Sequence, residues 1–442
     1  MARVVVVGGG LGGLAAAARL GKQGHEVALL EASDRLGGAL APVEQDGYRW
    51  DGGPASTLVP AALRDLFRKS GRPLEKDLGI ELEPLPVLRE HRFADRTAVL
   101  LPGGSRADQI AAFDELGAGL GETWARHVDL YGAVWDVLRR NYVEAPARPA
   151  DRRNLPKELD DLFNIRETLF KRLRHDFRDE RLALVAGHVP TAEGHDLRNV
   201  PSWVGVSSYL EQTFGGWRVP GGMGRVVELL EARLALREVT VRTGVEVTDI
   251  VVRDGRAVAV RTVEGDADAD VVVVAVDPRR LPALASYVEK TMPAIPPVVT
   301  HLGLAGDVPP LTHEVVFNAE PMIVVRPGVA APEGGAAWTL HGRGKIAEDM
   351  VAALARHGID VRDAVVTRVD LTPRDLVEQW RGSPMGVLWQ GRGTVRARLG
   401  PETPVPNVYL AGAHGAPGAG VPFVTQSAAL VAGLVGTAQG TT

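Results

Sequence analysis

The sequence predicts an α/β fold in which a second, α+β domain is inserted into a discontinuous domain built on a parallel sheet. Three observations support this prediction. A valine run at 4–7 leads into the glycine-rich segment 8–14 near the N-terminus. Strand, glycine and helix patterns recur at 220–276 and again at 407–435. Because strands that alternate with helices form parallel sheets, these three separated segments predict one discontinuous domain.

The glycine-rich segment has the spacing of a phosphate-binding turn between a strand and a helix. Gly8 permits a tight turn, Gly10 lets a pyrophosphate approach the backbone, and Gly13 lets the helix pack close to the strand. The helix start offers unpaired N–H groups and a positive dipole end to phosphates. Segment 26–30 predicts a second strand, and Glu31 at its end is placed to accept hydrogen bonds from a ribose. The segment therefore predicts a Rossmann-like dinucleotide site.

Composition excludes several classes of function. The chain of 442 residues has a formal net charge of −5 and contains no cysteine. A slightly negative charge gives no electrostatic basis for nucleic-acid binding, and the lack of cysteine excludes disulfides, thiolate metal sites and Fe–S clusters. The histidines do not have metal-ligand spacing, so we expect no metal. We also expect no membrane span, because no apolar run reaches about 20 residues, and a cytoplasmic location, which the lack of cysteine fits.

The positions of the nucleotide-type segments predict the domain boundaries. Residues 1–75, 217–280 and 395–442 are expected to form the nucleotide-binding domain. Residues 76–216 and 281–394 are expected to form the inserted substrate-binding domain. Apolar residues three or four positions apart make the first insertion helical in character, whereas the second mixes short strands with a helix.

Two segments resemble a known family. The first continues from the glycine motif through Glu31, Arg35 and the doublet Gly37-Gly38. The second, 407–422, reads Asn-Val-Tyr-Leu-Ala-Gly-Ala-His-Gly-Ala-Pro-Gly-Ala-Gly-Val-Pro. Both are similar to motifs of the FAD-dependent amine oxidase superfamily, whose FAD domain is of the glutathione-reductase type. Within it, the chain resembles more closely the phytoene desaturase-like carotenoid and retinoid oxidoreductases. The resemblance implies an FAD-dependent enzyme that dehydrogenates or desaturates a hydrophobic, isoprenoid-like substrate by hydride transfer to the flavin.

The resemblance also implies which residues bind FAD. The N-terminal corner would hold the ADP half, and Val247 would meet the adenine. Segment 412–422 would lie along the pyrophosphate, the ribityl chain and the flavin ring, with segment 52–54 on the other side of the ring. The predicted cofactor-binding residues are Gly8, Gly10, Leu11, Gly12, Gly13, Glu31, Ala32, Arg35, Gly38, Ala39, Gly53, Pro54, Ala55, Val247, Gly412, Ala413, Gly420, Val421 and Pro422.

His414 is the predicted catalytic residue, because it lies in the loop expected beside the flavin and histidine exchanges protons near neutral pH. The alternative is a loop histidine bound to backbone. Gln426 is a second candidate for substrate contact. Lys345 is a candidate flavin-proximal lysine, although a solvated lysine fits its charged neighbours. Five aromatic residues are candidates for a pocket wall, with core packing as the alternative: Trp203, Tyr209, Trp217, Trp338 and Trp389.

The substrate and the partners stay open at this point. The chain has Ala39 where family members often carry arginine, and Ala416 where carotenoid desaturases often carry histidine. A polyene and a more compact apolar molecule are both compatible with the sequence. A flavin amine oxidase for a small amine and a non-catalytic prenyl-binding protein are the alternative functions. Segment 166–181 mixes apolar and basic residues, which predicts either a peripheral membrane contact or a helix packed on the substrate domain.

Overall fold

The computed structural model describes residues 1–146, 148, 154–164 and 166–438. The other positions of the predicted domains, 147, 149–153, 165 and 439–442, lie outside the described residues. The strands are β1 Arg3–Val7, β2 Glu26–Leu30, β3 Pro42–Gln45, β4 Tyr48–Asp51, β5 Thr57–Leu58, β6 Glu83–Leu85, β7 Val87–Arg92, β8 Ala98–Pro102, β9 Gly216–Arg218, β10 Thr240–Arg242, β11 Val247–Arg253, β12 Arg256–Thr262, β13 Gly265–Asp268, β14 Val271–Val274, β15 Val298–Ala305, β16 Glu314–Phe317, β17 Met322–Pro327, β18 Gly335–Arg343, β19 Val365–Leu371 and β20 Val408–Leu410. The α-helices are α1 Leu11–Lys22, α2 Ala61–Ser70, α3 Leu74–Leu78, α4 Arg106–Leu116, α5 Leu120–Leu138, α6 Lys157–Asn164, α7 Leu169–Asp176, α8 Glu180–Ala186, α9 His188–Ala192, α10 Val206–Phe214, α11 Gly224–Leu236, α12 Pro282–Ala285, α13 Met350–Arg356, α14 Pro373–Trp380, α15 Gly393–Ala397 and α16 Val421–Val435.

A parallel sheet joins the two ends and the middle of the chain, and it confirms the predicted α/β fold. Its strand order is β10-β2-β1-β14-β20, and every neighbouring pair is parallel. Val4 and Val6 of β1 pack into the core with α1, α11 and α16, whereas Val5 and Val7 pack into the opposite core with β11 and β12. The valine run is uninterrupted because this strand is covered on both faces.

The rest of the fold is built on a second sheet of seven strands. Its order is β19-β15-β18-β17-β16-β7-β8, with only the β16–β7 pair parallel among the described strands. One face is apolar and packs with α13, through residues such as Leu302, Val325 and Leu340. The opposite face is turned towards the cavity described below.

A helical layer packs against β7 and β8 at one edge of this sheet. Its core includes residues from α4, α5, α7, α8 and α10. Segment 166–181 does not form one helix, because α7 ends at Asp176 and α8 begins only at Glu180. Leu169, Leu173 and Phe177 are buried in this helical core, so the apolar side of the segment packs inside the protein.

Candidate active site

The N-terminal corner brings backbone groups from both ends of the chain together. Gly8 has a φ of +100°, and a Cβ built on Gly13 would overlap the carbonyl oxygen of Gly8. A Cβ on Gly12 would lie 3.0 Å from Cα of Gly412, which follows β20. Gly10 opens α1 without a side-chain cap. The first and last segments of the parallel-sheet domain therefore meet at this corner.

Glu31 closes the corner at the end of β2. Its Oε2 accepts a 2.5 Å hydrogen bond from the amide of Gly9. Its Oε1 accepts bonds from the amide and the hydroxyl of Ser33, at 2.8 and 2.7 Å. The middle segment is fastened here too, because the amide of Val245 donates to the carbonyl of Glu31 at 2.9 Å. Both acceptor sites of Oε1 are thus used, whereas Oε2 keeps capacity for a further donor such as a ribose hydroxyl.

A continuous cavity of about 400 Å³ extends from this corner to the second sheet. Most of the predicted cofactor-binding residues line it: Gly8, Gly10, Leu11, Gly12, Glu31, Ala32, Gly38, Ala39, Gly53, Pro54, Val247, Gly412, Ala413, Gly420 and Val421. Gly13, Arg35, Ala55 and Pro422 do not line it; Gly13 packs α1 on Gly8, and the Arg35 side chain reaches the carbonyl of Pro42.

The far wall of the cavity contains residues that the sequence did not identify. They belong to β15–β18, α9 and the segment after α14: His188, Ala192, Glu193, Val299, Glu314, Met322, Val324, Arg326, His341, Arg343 and Met385. On β17 and β18 these residues alternate with core residues. Positions that pair across the two strands share a face of the sheet: Met322 pairs with Arg343, Val324 with His341 and Arg326 with Thr339. A period of two at 322–326 and 339–343 was the available signal, but alone it predicts a solvent-facing side rather than a cavity wall.

Arg326 links this wall to the loop predicted to approach the flavin. Its Nη2 donates to the carbonyl oxygen of Gly53 at 3.0 Å and to Nε2 of His341 at 2.8 Å. Its Nε is buried without a hydrogen-bond partner among the described residues. Burial lowers the pKa of Arg326, and burial beside Arg326 holds the pKa of His341 well below its usual range. His341 is therefore a neutral ring that accepts at Nε2.

Arg343 and Glu193 form the other end of the wall. Nε of Arg343 donates to the carbonyl of Ala192 at 2.9 Å, and Nη1 donates to the carbonyl of Ile295 at 2.5 Å. Burial lowers the pKa of Arg343 to about 10 and raises the pKa of Glu193 to about 7. Glu193 is thus partly protonated near neutral pH.

His414 lies in the cavity wall after Gly412. It is buried, and its Nδ1 lies 3.8 Å from Oδ1 of Asp277 without a hydrogen bond. Burial lowers its pKa although Asp277 acts in the opposite direction. The ring is therefore neutral near pH 7 and suited to accept a proton rather than to donate one.

The other candidates lie away from the cavity. Gln426 does not line it, and Lys345 is exposed. The aromatic residues pack into hydrophobic cores instead: Trp203, Tyr209 and Trp389 in the helical core, Trp217 against the α1–α11 core, and Trp338 in the core of the second sheet. Within the described ranges, no three His, Cys, Asp or Glu side chains are grouped as metal ligands. Among the same residues, no helix combines the length and the hydropathy needed to cross a bilayer.

The hydrogen-bond donors of the N-terminal corner fit the phosphates of a dinucleotide. Open space surrounds the positions that a Cβ would take on Gly10 and on Gly412, so a phosphate can approach either backbone. The uncapped start of α1 directs N–H groups to the same place. Glu31, which is predicted to bind a ribose, lines the cavity, and the cavity continues towards Gly53 and Gly420. FAD bound here would have its ADP half at the corner and its ring near the second sheet.

These features define an FAD-dependent oxidoreductase with a discontinuous Rossmann-like domain. The chain belongs to the flavin containing amine oxidoreductase family, whose sequence profile matches residues 11–300.

Sequence relatives extend the similarity over nearly the whole chain. A 4,4'-diapolycopene oxygenase of Methylomonas sp is 25% identical over 499 residues, covering 97% of each chain. A hydroxyneurosporene desaturase of Cereibacter sphaeroides is 29% identical and covers 96% of this chain and 95% of its own. The solved structure of wild-type putrescine oxidase bound to putrescine has a TM-score of 0.70 at 18% identity, with 98% of both chains covered. This last likeness shows a shared fold.

Proposed function

We propose that this FAD-dependent oxidoreductase removes hydrogen from C–H bonds of an apolar, isoprenoid-like chain. The observation that carries the proposal is the continuous cavity, which connects the dinucleotide corner to a wall containing Val299, Met322 and Val324. The names of the full-length relatives, a carotenoid oxygenase and a carotenoid desaturase, support the same substrate class.

Each part of the proposed site would have its own role in the reaction. Bound FAD would supply the hydride acceptor. Residues of the N-terminal corner, Val247 and segment 412–421 would hold it, and the apolar wall would orient the chain and exclude water. We also propose His414 as the residue that accepts the released proton, because it is neutral, buried and in the cavity wall. No protein nucleophile is required for this chemistry.

The domain division fits the same proposal. Segments 1–75, 217–280 and 395–442 contain the five strands of the parallel sheet, and 76–216 and 281–394 contain the seven strands of the second sheet. Under this division the cofactor domain and the substrate domain each supply one wall of the cavity.

We further propose a peripheral membrane contact at the loop around Met292 and Ile295. Both side chains are exposed, by 50% and 59%. The carbonyl of Ile295 accepts from Arg343 of the cavity wall, so the loop adjoins the cavity in which an apolar substrate would bind. Sedimentation with phosphatidylcholine vesicles, compared with Met292→Ser and Ile295→Ser, tests this contact; equal sedimentation of all three proteins would contradict it.

Anaerobic titration of the FAD-loaded protein tests the main proposal. We expect isoprenoid chains to bleach the flavin absorbance and to yield a product with an additional double bond. Bleaching by amines alone, with peroxide formed in air, would indicate an amine oxidase instead. A flavin that no isoprenoid or amine reduces would indicate a binding protein.

A further inference from the structure

The cavity-facing side of the second sheet carries charged residues beside its apolar ones, although it lies inside the protein. On β17 and β18, Ile323, Val325 and Leu340 face the apolar core around α13. Their neighbours Arg326 and Arg343 face the cavity. A sheet face that packed only against apolar material would carry apolar residues at these positions. The two arginines therefore require a polar partner.

Neither arginine has a carboxylate partner inside the protein. Among the described residues, no Asp or Glu oxygen lies within the 4.0 Å ion-pair limit of the Arg326 or Arg343 guanidinium. Among the described residues, Arg326 donates to Gly53 and His341 through Nη2 alone, and its Nε has no partner. A buried guanidinium with an unused N–H donor is costly, which makes the site receptive to a ligand that brings an acceptor.

The acids around these arginines do not pair with them directly. Glu314 and Asp51 act on Arg326 electrostatically, but Glu314 lies 3.6 Å from Nε2 of His188, with which it forms its own pair, and Asp51 accepts from the amide of Met223. Glu193 is partly protonated near neutral pH. The Nε–H donor of Arg326 therefore stays available to a ligand.

We propose that the substrate of this oxidoreductase is an apolar chain that ends in a carboxylate, bound by Arg326. The inference rests on the proposed function and names the polar end of the same substrate. Guanidinium groups bind carboxylates through paired N–H donors, and His341 keeps Arg326 in place between Gly53 and the ligand. Val299, Met322 and Val324 of the same wall receive the apolar part of the chain.

A matched pair of ligands tests the inference. FAD-loaded protein is titrated at pH 8 with geranylgeranoic acid and with its methyl ester, and binding is measured by calorimetry and by flavin absorbance. We expect the acid to bind at least about tenfold more tightly than the ester. Arg326→Met should remove most of this preference, and Arg326→Lys should retain part of it. Arg92→Met, which removes a partly exposed arginine of the same sheet outside the cavity lining, should leave the preference unchanged.

Three results would overturn the inference. The first is equal binding of acid and ester by the unsubstituted protein, a comparison that needs no variant to fold. The second is a preference that survives in Arg326→Met. The third is a changed flavin reduction potential in Arg326→Met with the acid preference intact, which would assign the guanidinium to the cofactor.

Different experimental outcomes would contradict the inference and the proposed function. Tight, arginine-dependent binding of the acid without any flavin reduction by isoprenoids would contradict only the proposed function. Flavin reduction by an isoprenoid hydrocarbon or alcohol, with no preference for the acid, would contradict only the carboxylate site.

Discussion

The amide of Gly9 donates a 2.5 Å hydrogen bond to Oε2 of Glu31, which joins the phosphate corner to the end of the neighbouring strand. Glu31 thus has two tasks in the proposed site, since it orders the glycine turn and faces a ribose. Glu31→Gln keeps the size of the side chain but turns one acceptor oxygen into a donor that faces existing donors.

We expect Glu31→Gln to weaken FAD binding about tenfold, or ~1.4 kcal/mol. Calorimetric titration of the apoprotein with FAD measures the change. Glu26→Gln, at the exposed start of the same strand, is the matched control and should bind FAD as the unsubstituted protein does. Equal affinities for all three proteins would show that Glu31 does not contact the cofactor.

Close packing of α1 on β1 makes Gly13 the most sensitive position of the corner. A Cβ there would overlap the Gly8 carbonyl oxygen, so we expect Gly13→Ala to cost about 3 kcal/mol or more in unfolding free energy. Gly433 provides the contrast, because it is exposed in α16 and a Cβ there meets open space. Gly433→Ala should stabilise the protein by about 0.5–1 kcal/mol. Urea denaturation compares the two, and similar effects would contradict the packing argument.

Glu193 should make stability depend on pH between about 4.5 and 7. Its pKa is raised by burial from 4.5 to about 7 in the folded state, so the unfolded chain loses its proton first as the pH rises. The folded state therefore loses stability through this window and no further above it. Glu193→Gln should gain stability relative to the unsubstituted protein across the same window, as followed by urea unfolding at several pH values.

Glu314 should make stability depend on pH in the opposite direction from Glu193, and at lower pH. Although burial acts against it, His188 lowers the pKa of Glu314 in the folded state. Its stabilisation is then complete above about 4.5 and is lost as the pH falls through the lowered pKa. Glu314→Gln should therefore lose stability relative to the unsubstituted protein only as the pH rises towards 4.5. A common slope for both glutamine variants would exclude this assignment.

His414 should determine an acidic limb of activity if it accepts the proton. Because burial lowers its pKa below 6.5, the neutral ring is present at pH 7, and kcat/KM should fall only at lower pH. His414→Asn should lower kcat/KM and remove that limb, whereas His175→Asn, at an exposed position in α7, should keep it. An unchanged limb in His414→Asn would assign the titration to another group.

The sequence predicts the parallel-sheet domain well because its signals are local. A valine run, a glycine turn and a helix occupy consecutive positions, and β2 and β20 lie at 26–30 and 408–410 as predicted. The wall with Arg326 and Arg343 was missed for a physical reason. Alternation on a strand shows that one face differs from the other, but not whether the polar face meets water or an internal cavity. That depends on segments such as Gly53 and α9, which are distant in sequence.

The contact between Gly12 and Gly412 also bears on how the protein matures. A nascent chain made only as far as α15 lacks β20, the loop at 412–420 and α16. One wall of the proposed cofactor site is then missing, even though α1 and the glycine turn were made first. Loading of FAD is therefore a step that follows the synthesis of α16, and until then the apolar surface of α1 that α16 covers has no packing partner there.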